Sequence, residues 1–185
     1  MSQNTVRKKP RKNKKFRFQL LKEWIVANYS PCRVADIGGG KGLLAYLLYL
    51  DGWEVTVIDP ERTLPLKKYK DLKTGQRIKL DTGDEQSAFD DIDWLESEFK
   101  IDMAKDFDLL VSLHGHGVNM KIIEAAAKFD KKFILLPCCV INEPIIKQPG
   151  IDWYQSLVDY EVSQGLKVGE DKINFKGKNR IIFNQ

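Results

Sequence analysis

The segment DIGGGKG, residues 36–42, places four glycines within five positions. It overlaps the end of RVADI (33–37), an apolar run that predicts a short buried strand, and it precedes LLAYLLYLDG (43–52), which predicts a helix ended by Gly52. Glycines at a strand-to-helix turn let the backbone turn tightly and let a ligand come close to main-chain N–H groups. The segment therefore predicts a ligand-binding turn at the carboxyl end of a strand.

The glycine spacing distinguishes between the known nucleotide-binding turns. The dinucleotide fingerprint G-x-G-x-x-G/A, counted from Gly38, requires Gly or Ala where this chain has Leu43. A Walker loop requires Gly-Lys followed by Ser or Thr, whereas Lys41 is followed by Gly42. The spacing that fits is D-x-G-x-G-x-G, beginning at Asp36. A nicotinamide cofactor and an ordinary tight turn are the competing interpretations.

Strand and helix patterns alternate along the chain, which predicts a parallel sheet with helices on both faces. Further strands are predicted in WEVTVID (53–59), RIKLDTGD (77–84), FDLLVSL (107–113), KFILLPCC (132–139), LKVGEDKINF (166–175) and KNRIIFNQ (178–185). Helices are predicted over 16–29, over 64–74, around Trp94, over 120–129 with Asn119 as its N-cap, and over 151–165. The last two strands form a hairpin, so the predicted fold class is α/β with a mostly parallel seven-stranded sheet and an antiparallel strand near one edge.

The D-x-G-x-G-x-G turn resembles the first cofactor motif of the class I S-adenosylmethionine (SAM)-dependent methyltransferases. The resemblance covers residues 16–185 and implies a Rossmann-like class I methyltransferase fold, with SAM as cofactor and S-adenosyl-L-homocysteine (SAH) as product. In that family the turn holds the methionine end of SAM. The resemblance thus assigns cofactor contacts to Asp36, Gly38, Gly39, Gly40 and Gly42.

Two acidic positions extend the resemblance. Asp59 ends the second predicted strand, 21 residues after Gly38. A carboxylate there can accept hydrogen bonds from both ribose hydroxyls of an adenosine. Asp84 ends the predicted third strand, where the family often has an acid near the adenine amino group, and Asp81 is the competing candidate.

The segment SLHGHGVN (112–119) contains both histidines of the chain and follows the predicted fourth strand. In the class I family this strand neighbours the first one, and the segment after it faces the transferring methyl group. Pro137, Cys138 and Cys139 follow the fifth strand, the next neighbour. We therefore expect the two histidines and the two adjacent cysteines to converge at one edge of the sheet, where α/β folds bind ligands.

Three chemical interpretations of this edge remain open. His114 or His116 could act as a general base or orient the acceptor, because imidazole has a pKa of about 6.5. Cys138 or Cys139 could be a nucleophile. All four residues could form a tetrahedral zinc site, although adjacent cysteines on a strand point apart. We assign catalysis to His114, His116 and Cys138 and predict no metal; alternatively, the cysteines are small buried residues.

The combination of L-H-x-x-G after strand four and P-C-C after strand five is similar to the tRNA ribose 2′-O-methyltransferases of the Trm-thirteen type and their methyltransferase-like relatives. Those proteins typically have a cysteine in an L-H-x-C-G segment, whereas this chain has His116 near that place. The zinc-finger extensions of the tRNA enzymes are absent. The chain also lacks the N/D-P-P-Y/F segment of many enzymes that methylate base amines, which disfavours that chemistry.

Charge divides the chain into an arm and a body. Residues 1–17 contain five lysines, three arginines and no acid, so the remaining 22 basic and 26 acidic residues give the body a net charge of −4. The predicted organisation is a disordered basic arm over 1–15 and a methyltransferase domain over 16–185. Such an arm suits the phosphates of a nucleic acid, so RNA, either tRNA or rRNA, is the preferred acceptor and partner.

The composition argues against a membrane-spanning protein and against a secreted protein. No apolar run approaches the roughly 20 residues that span a membrane, and no apolar segment resembles a secretory signal. Three cysteines, two of them adjacent, indicate a reducing compartment and predict a cytoplasmic protein. The alternative functions are a methyltransferase acting on a small molecule or protein, and a non-catalytic module of the same fold that binds RNA or a protein.

Overall fold

The computed structural model describes residues 12–63, 66–80, 89–139, 141–145 and 152–185. Within these ranges the α-helices are α1 (Arg17–Asn28), α2 (Leu43–Tyr49), α3 (Asn119–Phe129) and α4 (Trp153–Ser163). The strands are β1 (Arg33–Ile37), β2 (Glu54–Ile58), β3 (Lys68–Lys70), β4 (Arg77–Lys79), β5 (Asp93–Leu95), β6 (Leu109–Leu113), β7 (Lys132–Leu136), β8 (Val168–Lys172) and β9 (Arg180–Asn184). Short 3-10 helices lie at Lys14–Phe16 and Ile101–Asp106.

Seven strands form one sheet in the order β5-β2-β1-β6-β7-β9-β8. Neighbours from β5 to β7 are parallel, and β9 runs antiparallel to both β7 and β8. The predicted fold class is confirmed, including the antiparallel strand next to one edge. The chain moves outward from β1 through β2 to β5 and then returns to the other side of β1 at β6. This reversal creates a crevice at the carboxyl ends of β1 and β6, where open α/β sheets bind ligands.

Helices cover both faces of the sheet, as predicted. α1 and α2 pack on one face, where Leu44 and Leu48 are fully buried. α3 and α4 pack on the other, where Ile122, Ile123 and Leu157 are fully buried. Burying one such side chain stabilises the fold by about 1.5 to 3 kcal/mol, so both helical layers stabilise the sheet.

The region between β2 and β5 differs from the prediction. The helix predicted over 64–74 is wrong: residues 68–70 form β3, which pairs antiparallel with β4 in a separate two-stranded sheet. The predicted third strand of the main sheet is also wrong, because its residues 77–79 form β4 instead. Each strand is only three residues long, with just its central side chain half-buried, so no hydrophobic period distinguishes strand from helix.

The predicted helix around Trp94 is likewise wrong. Trp94 is the middle residue of β5, which takes the edge position beside β2 that the prediction gave to residues 77–84. The physical reason is tertiary: a Cβ on Gly42 would lie 2.8 Å from the Trp94 ring, so this ring packs directly on the glycine turn. Such a contact, between residues far apart in sequence, leaves no local pattern.

The start of α3 lies one residue earlier than predicted. Asn119 is the first helical residue and Val118 occupies the N-cap position without a capping side chain. Glu143 performs the capping instead: its carboxylate accepts hydrogen bonds from the backbone N–H groups of Asn119 and Met120 at 2.8 and 3.2 Å. The loop after β7 is thereby tied to the loop after β6.

Residues 12–15, which the sequence assigns to the basic arm, lie against the body. The N–H of Lys12 donates to the carbonyl of Asn174 at 3.1 Å, and the N–H of Lys176 donates to the carbonyl of Lys12 at 2.9 Å. The rest of the predicted arm, residues 1–11, lies outside the described residues. Within the described ranges, no helix has the length and apolar character needed to cross a membrane.

Candidate functional site

The glycine turn after β1 has the backbone conformation that its sequence predicts. Gly38, Gly40 and Gly42 have φ values of +70°, +56° and +70°, in the region that side chains with a Cβ rarely adopt. A Cβ on Gly40 would meet no atom within 4 Å, so this part of the turn borders open space. The N–H of Gly38 donates to the carbonyl of Ile58 at 2.8 Å, which fastens the turn to the end of β2.

Asp36 lies directly beneath this turn and is 2% exposed. The backbone N–H of Ala45 in α2 lies near this carboxylate. Its Oδ2 has no hydrogen-bond partner among the described residues. Burial raises the pKa of Asp36 to about 7, although the Ala45 N–H favours the charged form. A buried, partly unpaired carboxyl group is uncommon and indicates a functional constraint at this position.

Asp59 follows β2 and holds the other side of the turn. Its Oδ2 accepts a hydrogen bond from the N–H of Gly40 at 3.0 Å, and its Oδ1 accepts one from the N–H of Glu61 at 3.0 Å. An ionised carboxylate can accept about four hydrogen bonds, so two acceptor positions remain on this half-buried group. Asp59 is thus positioned by the backbone and still able to bind a ligand's hydroxyl groups.

A cleft of about 640 Å³ opens beside Gly38 and Asp59. Its walls come from the ends of β1 and β2, the segment after β5, the loop after β6, α3, and residues 142–144. The cleft has four carboxylates in its lining, of Asp59, Glu98, Glu124 and Glu143, against one lysine, Lys121. Its size lies within the range of roughly 300 to 1,000 Å³ typical of small-molecule sites.

The segment after β5 contributes Glu98 and Phe99 to the cleft, on the side of Asp59. The sequence assigned this place to Asp84, with Asp81 as the competitor, and both lie outside the described residues. Glu98 and Phe99 were missed because residues 93–95 were not recognised as the strand beside β2. Recognising that strand would have identified the residues that follow it.

A second cavity of about 400 Å³ lies on the α1 side of the glycine turn. Gly38 and His114 line both cavities, and Arg17 and Lys41 line only this one. Nε of Arg17 is buried and has no hydrogen-bond partner within the described part of the chain. The sequence did not identify Arg17 as a site residue, because its charge was counted only with the basic residues 1–17 of the N-terminus.

His114 is the first loop residue after β6, and its φ of +63° is unusual for a residue with a side chain. Its Nε2 lies 3.0 Å from the carbonyl oxygen of Lys178, which can only accept, so the proton is on Nε2 and the lone pair is on Nδ1. Burial lowers the pKa of His114 below its ordinary value, and the nearby cations Arg17 and Lys14 lower it further. The ring is therefore neutral at pH 7, as a general base must be.

His116, Cys138 and Cys139 form a separate cluster. Nε2 of His116 lies 3.4 Å from Sγ of Cys138, which lies 3.4 Å from Sγ of Cys139. All three cysteines of the chain are free thiols. Burial raises the pKa of Cys138, and the neighbouring Cys139 thiol raises it further. Since nucleophilic cysteines have lowered pKa values, this environment does not favour the nucleophile interpretation.

The structure therefore places three of the four residues predicted to converge here within a few ångströms of one another. His116, Cys138 and Cys139 converge as expected, whereas the His114 side chain bonds to Lys178 of the β8–β9 hairpin. Asp36 and Asp59 both contact the glycine turn, as the cofactor motif requires.

No protein-family model matches the sequence, and no curated protein is significantly similar to it. Solved structures do share its fold. A TehB-like SAM-dependent methyltransferase from Corynebacterium glutamicum matches with a TM-score of 0.50 over 91% of this chain and 86% of that chain, at 14% identity. A 1,6-didemethyltoxoflavin-N1-methyltransferase from Burkholderia thailandensis, with bound SAH, matches with a TM-score of 0.53 over 92% and 77%, at 10% identity.

The glycopeptide N-methyltransferase MtfA, complexed with SAH, matches with a TM-score of 0.52 over 91% of this chain and 88% of that chain, at 13% identity. The chain therefore has the Rossmann-like fold of SAM-dependent methyltransferases over nearly its whole length. At these identities the similarity establishes the fold alone.

Proposed function

We propose that the protein is a SAM-dependent methyltransferase that binds SAM in the cleft beside Gly38 and Asp59. The observation that carries the proposal is the hydrogen bond from the Gly40 N–H to Asp59, which joins the glycine turn and the acid after β2 into one cradle. Structural neighbours of the same fold are named as methyltransferases and two of them contain SAH. These neighbours support the assignment of the cradle to the same cofactor.

The residues of the cleft fit SAM in shape and charge. On the other side of the turn, Gly40 borders open space in the second cavity, which gives a ligand access to the backbone there, and the free acceptor positions of Asp59 suit the ribose hydroxyls. SAM carries a positive sulfonium and a positive amino group, which the four carboxylates of the cleft complement. When bound, SAM supplies an activated methyl group. The chain then orients the acceptor, excludes water and accepts a proton.

Replacing Asp59 with asparagine should weaken SAH binding by about 10- to 100-fold, because hydrogen bonds to a charged acceptor contribute about 1.5 to 3 kcal/mol. The asparagine keeps one oxygen for Gly40 or Glu61 but presents an N–H group to the other. Calorimetric titration with SAH measures the change. Asp130→Asn is the matched control, since Asp130 is exposed at the end of α3, before the amino end of β7 and away from the carboxyl ends of the strands. Equal losses in both variants would contradict the role of Asp59.

We assign the general base to His114, through its Nδ1. His114→Asn should lower kcat by about 100-fold, in the range typical of general acid–base catalysis, and leave SAH affinity unchanged. Asparagine tolerates the positive φ at this position, so the fold is retained. In the wild type, activity should fall as pH drops through the lowered pKa of His114. A variant that keeps both the full kcat and this acidic limb would contradict the assignment.

We propose RNA as the acceptor class. The support is the basic N-terminus, which continues at Lys14 and Arg17. The charges of these two residues are close enough to lower the pKa of His114. The resemblance of the L-H-x-x-G and P-C-C segments to tRNA ribose methyltransferases points to a ribose hydroxyl. The three neighbours described above are not named for RNA, so a small molecule or a protein is the competing acceptor class.

Transfer of a tritiated methyl group from SAM tests the function and the acceptor together. The full chain is incubated with labelled SAM and cell extract, which is then separated into RNA, protein and small molecules. Label in RNA that ribonuclease releases would support both proposals. Label in another fraction would keep the methyltransferase and overturn the RNA acceptor. SAH binding without any transfer would favour the non-catalytic module.

The arm is tested by removing residues 1–11 and keeping residues 12–15, which lie against the body. RNA affinity should fall, and the slope of affinity against salt concentration should become shallower, because fewer phosphates are neutralised. An unchanged affinity and salt slope would contradict a nucleic-acid role for the arm.

A further inference from the structure

Three nitrogen and sulfur atoms meet where the loops after β6 and β7 come together. Sγ of Cys138 lies 3.4 Å from both Sγ of Cys139 and Nε2 of His116, and the three atoms lie within 4.8 Å of one another. Zinc bonds of about 2.3 Å to sulfur and 2.0 Å to nitrogen, at tetrahedral angles, separate such ligand atoms by roughly 3.5 to 3.8 Å. Two of the three spacings are thus already close to those of a tetrahedral zinc site.

The adjacent cysteines can serve one ion because they do not lie on a strand. β7 ends at Leu136, and Pro137 separates it from Cys138. Side chains of neighbouring residues alternate only within an extended strand. Beyond the strand end the two Sγ atoms point to the same side, which removes the main objection to a shared ligand.

The loop that carries His116 is held rigidly. A Cβ on Gly115 would clash with Oγ of Ser112, and one on Gly117 would lie 3.0 Å from Cβ of Asn142. Oγ of Ser112 is itself buried and donates to the carbonyl of Ile37 at 2.9 Å. Close packing on both sides constrains the backbone that carries His116.

We propose that Cys138, Cys139 and His116 bind one Zn²⁺ ion, with the fourth coordination position open to water or to an acceptor group. Thiolate and imidazole ligands suit zinc, whereas Mg²⁺ and Ca²⁺ require oxygen ligands. Three protein ligands and an open position are the arrangement of catalytic zinc sites. Because His116 also lines the 640 Å³ cleft, the ion would lie at its rim. Binding releases the two thiol protons, and the site does not depend on the methyltransferase proposal.

Cobalt(II) and zinc titrations of the reduced full chain test the site. We expect one Co²⁺ per chain, with the thiolate charge-transfer band and the intense visible bands of four-coordinate cobalt, and displacement by Zn²⁺ with a dissociation constant below about 1 µM. Cys138→Ser, Cys139→Ser and His116→Ala should each weaken zinc binding by more than about 100-fold, because even losing a group that only hydrogen-bonds to a zinc ligand costs about 10- to 100-fold.

Cys32→Ser is the matched control, since Cys32 precedes β1 and so lies at the amino ends of the strands, away from the carboxyl ends where the cluster lies. It should leave metal binding unchanged. The wild-type cobalt spectrum does not depend on how well any variant folds. Cobalt without thiolate bands, zinc binding no tighter than that of Mg²⁺, or equal losses in Cys32→Ser and Cys138→Ser would overturn the proposal. SAH binding, measured on the same samples, separates this result from the proposed function.

Discussion

Replacing Gly39 with alanine should lower the free energy of unfolding by about 3 kcal/mol, as overpacking of a tight site does. An alanine Cβ would lie 2.8 Å from Oδ2 of Asp36, 2.9 Å from its Cγ and 2.9 Å from Cγ1 of Val57. Asp36 and Val57 are both buried, so neither can move aside without disturbing the sheet. The turn must shift instead. Because each hydrogen bond between the turn and the ligand contributes about 0.5 to 1.5 kcal/mol, we expect SAH affinity to fall by about 10-fold or more.

Denaturant unfolding and SAH titration measure the two effects of this substitution. Gly52→Ala is the control: Gly52 also lies in a turn, with a φ of +81°, but an added Cβ there meets no atom within 4 Å. The control should lose only the roughly 1 kcal/mol that a left-handed conformation costs and should bind SAH normally. If Gly39→Ala loses no more stability and no more SAH affinity than Gly52→Ala, the turn does not pack closely on Asp36.

Stability should fall as pH rises from about 4 to 7, because the pKa of Asp36 is about 7 in the folded chain and 3.8 as its ordinary value. Between these pH values the carboxyl group is protonated in the folded state and ionised in the unfolded state. Unfolding therefore releases a proton and becomes more favourable as the pH rises. The shift corresponds to roughly 4 kcal/mol above pH 7, as an upper estimate. Asp36→Asn removes the titrating group, so the variant should be the more stable protein at pH 8.

Glu161 is a second buried carboxyl group whose titration would overlap that of Asp36, so it has to be replaced before the effect of Asp36 is measured. It is fully buried, its carboxylate oxygens have no hydrogen-bond partner among the described residues, and burial raises its pKa to about 8. It therefore weakens the fold with rising pH in the same direction as Asp36. The variant Glu161→Gln and the double variant Asp36→Asn/Glu161→Gln are compared by denaturant unfolding at pH 4 and pH 8. Parallel losses in both proteins would show that Asp36 is not the titrating group.

The sequence predicts the central part of the fold well. β1, the glycine turn and α2 are recognisable because an apolar run, four glycines and a second apolar run follow one another. The order of β1, β6 and β7 is the one that the resemblance to the class I methyltransferases implies, and it correctly places the histidine and cysteine segments side by side. The region between β2 and β6 is not predictable in this way, because β3, β4 and β5 are three-residue strands rich in charge.

The candidate site is predictable where backbone motifs determine it. Asp36, Asp59 and the glycines lie where the motif indicates, whereas Glu98 and Phe99 depend on the missed strand β5. The tautomer of His114 depends on the carbonyl of Lys178, 64 residues away. The cap that Glu143 provides to α3 is another long-range contact without a sequence signature. These side-chain partners are set by tertiary packing, which a local pattern does not record.

Calorimetric titration of the full chain with SAH tests the central claim most directly. We predict one SAH molecule per chain with a dissociation constant of about 1 to 100 µM, in the range of enzyme KM values, and no comparable binding of NADH. SAM should compete for the same site. A folded chain that binds neither SAM nor SAH at concentrations up to about 1 mM, or that binds NADH in their place, would contradict the account.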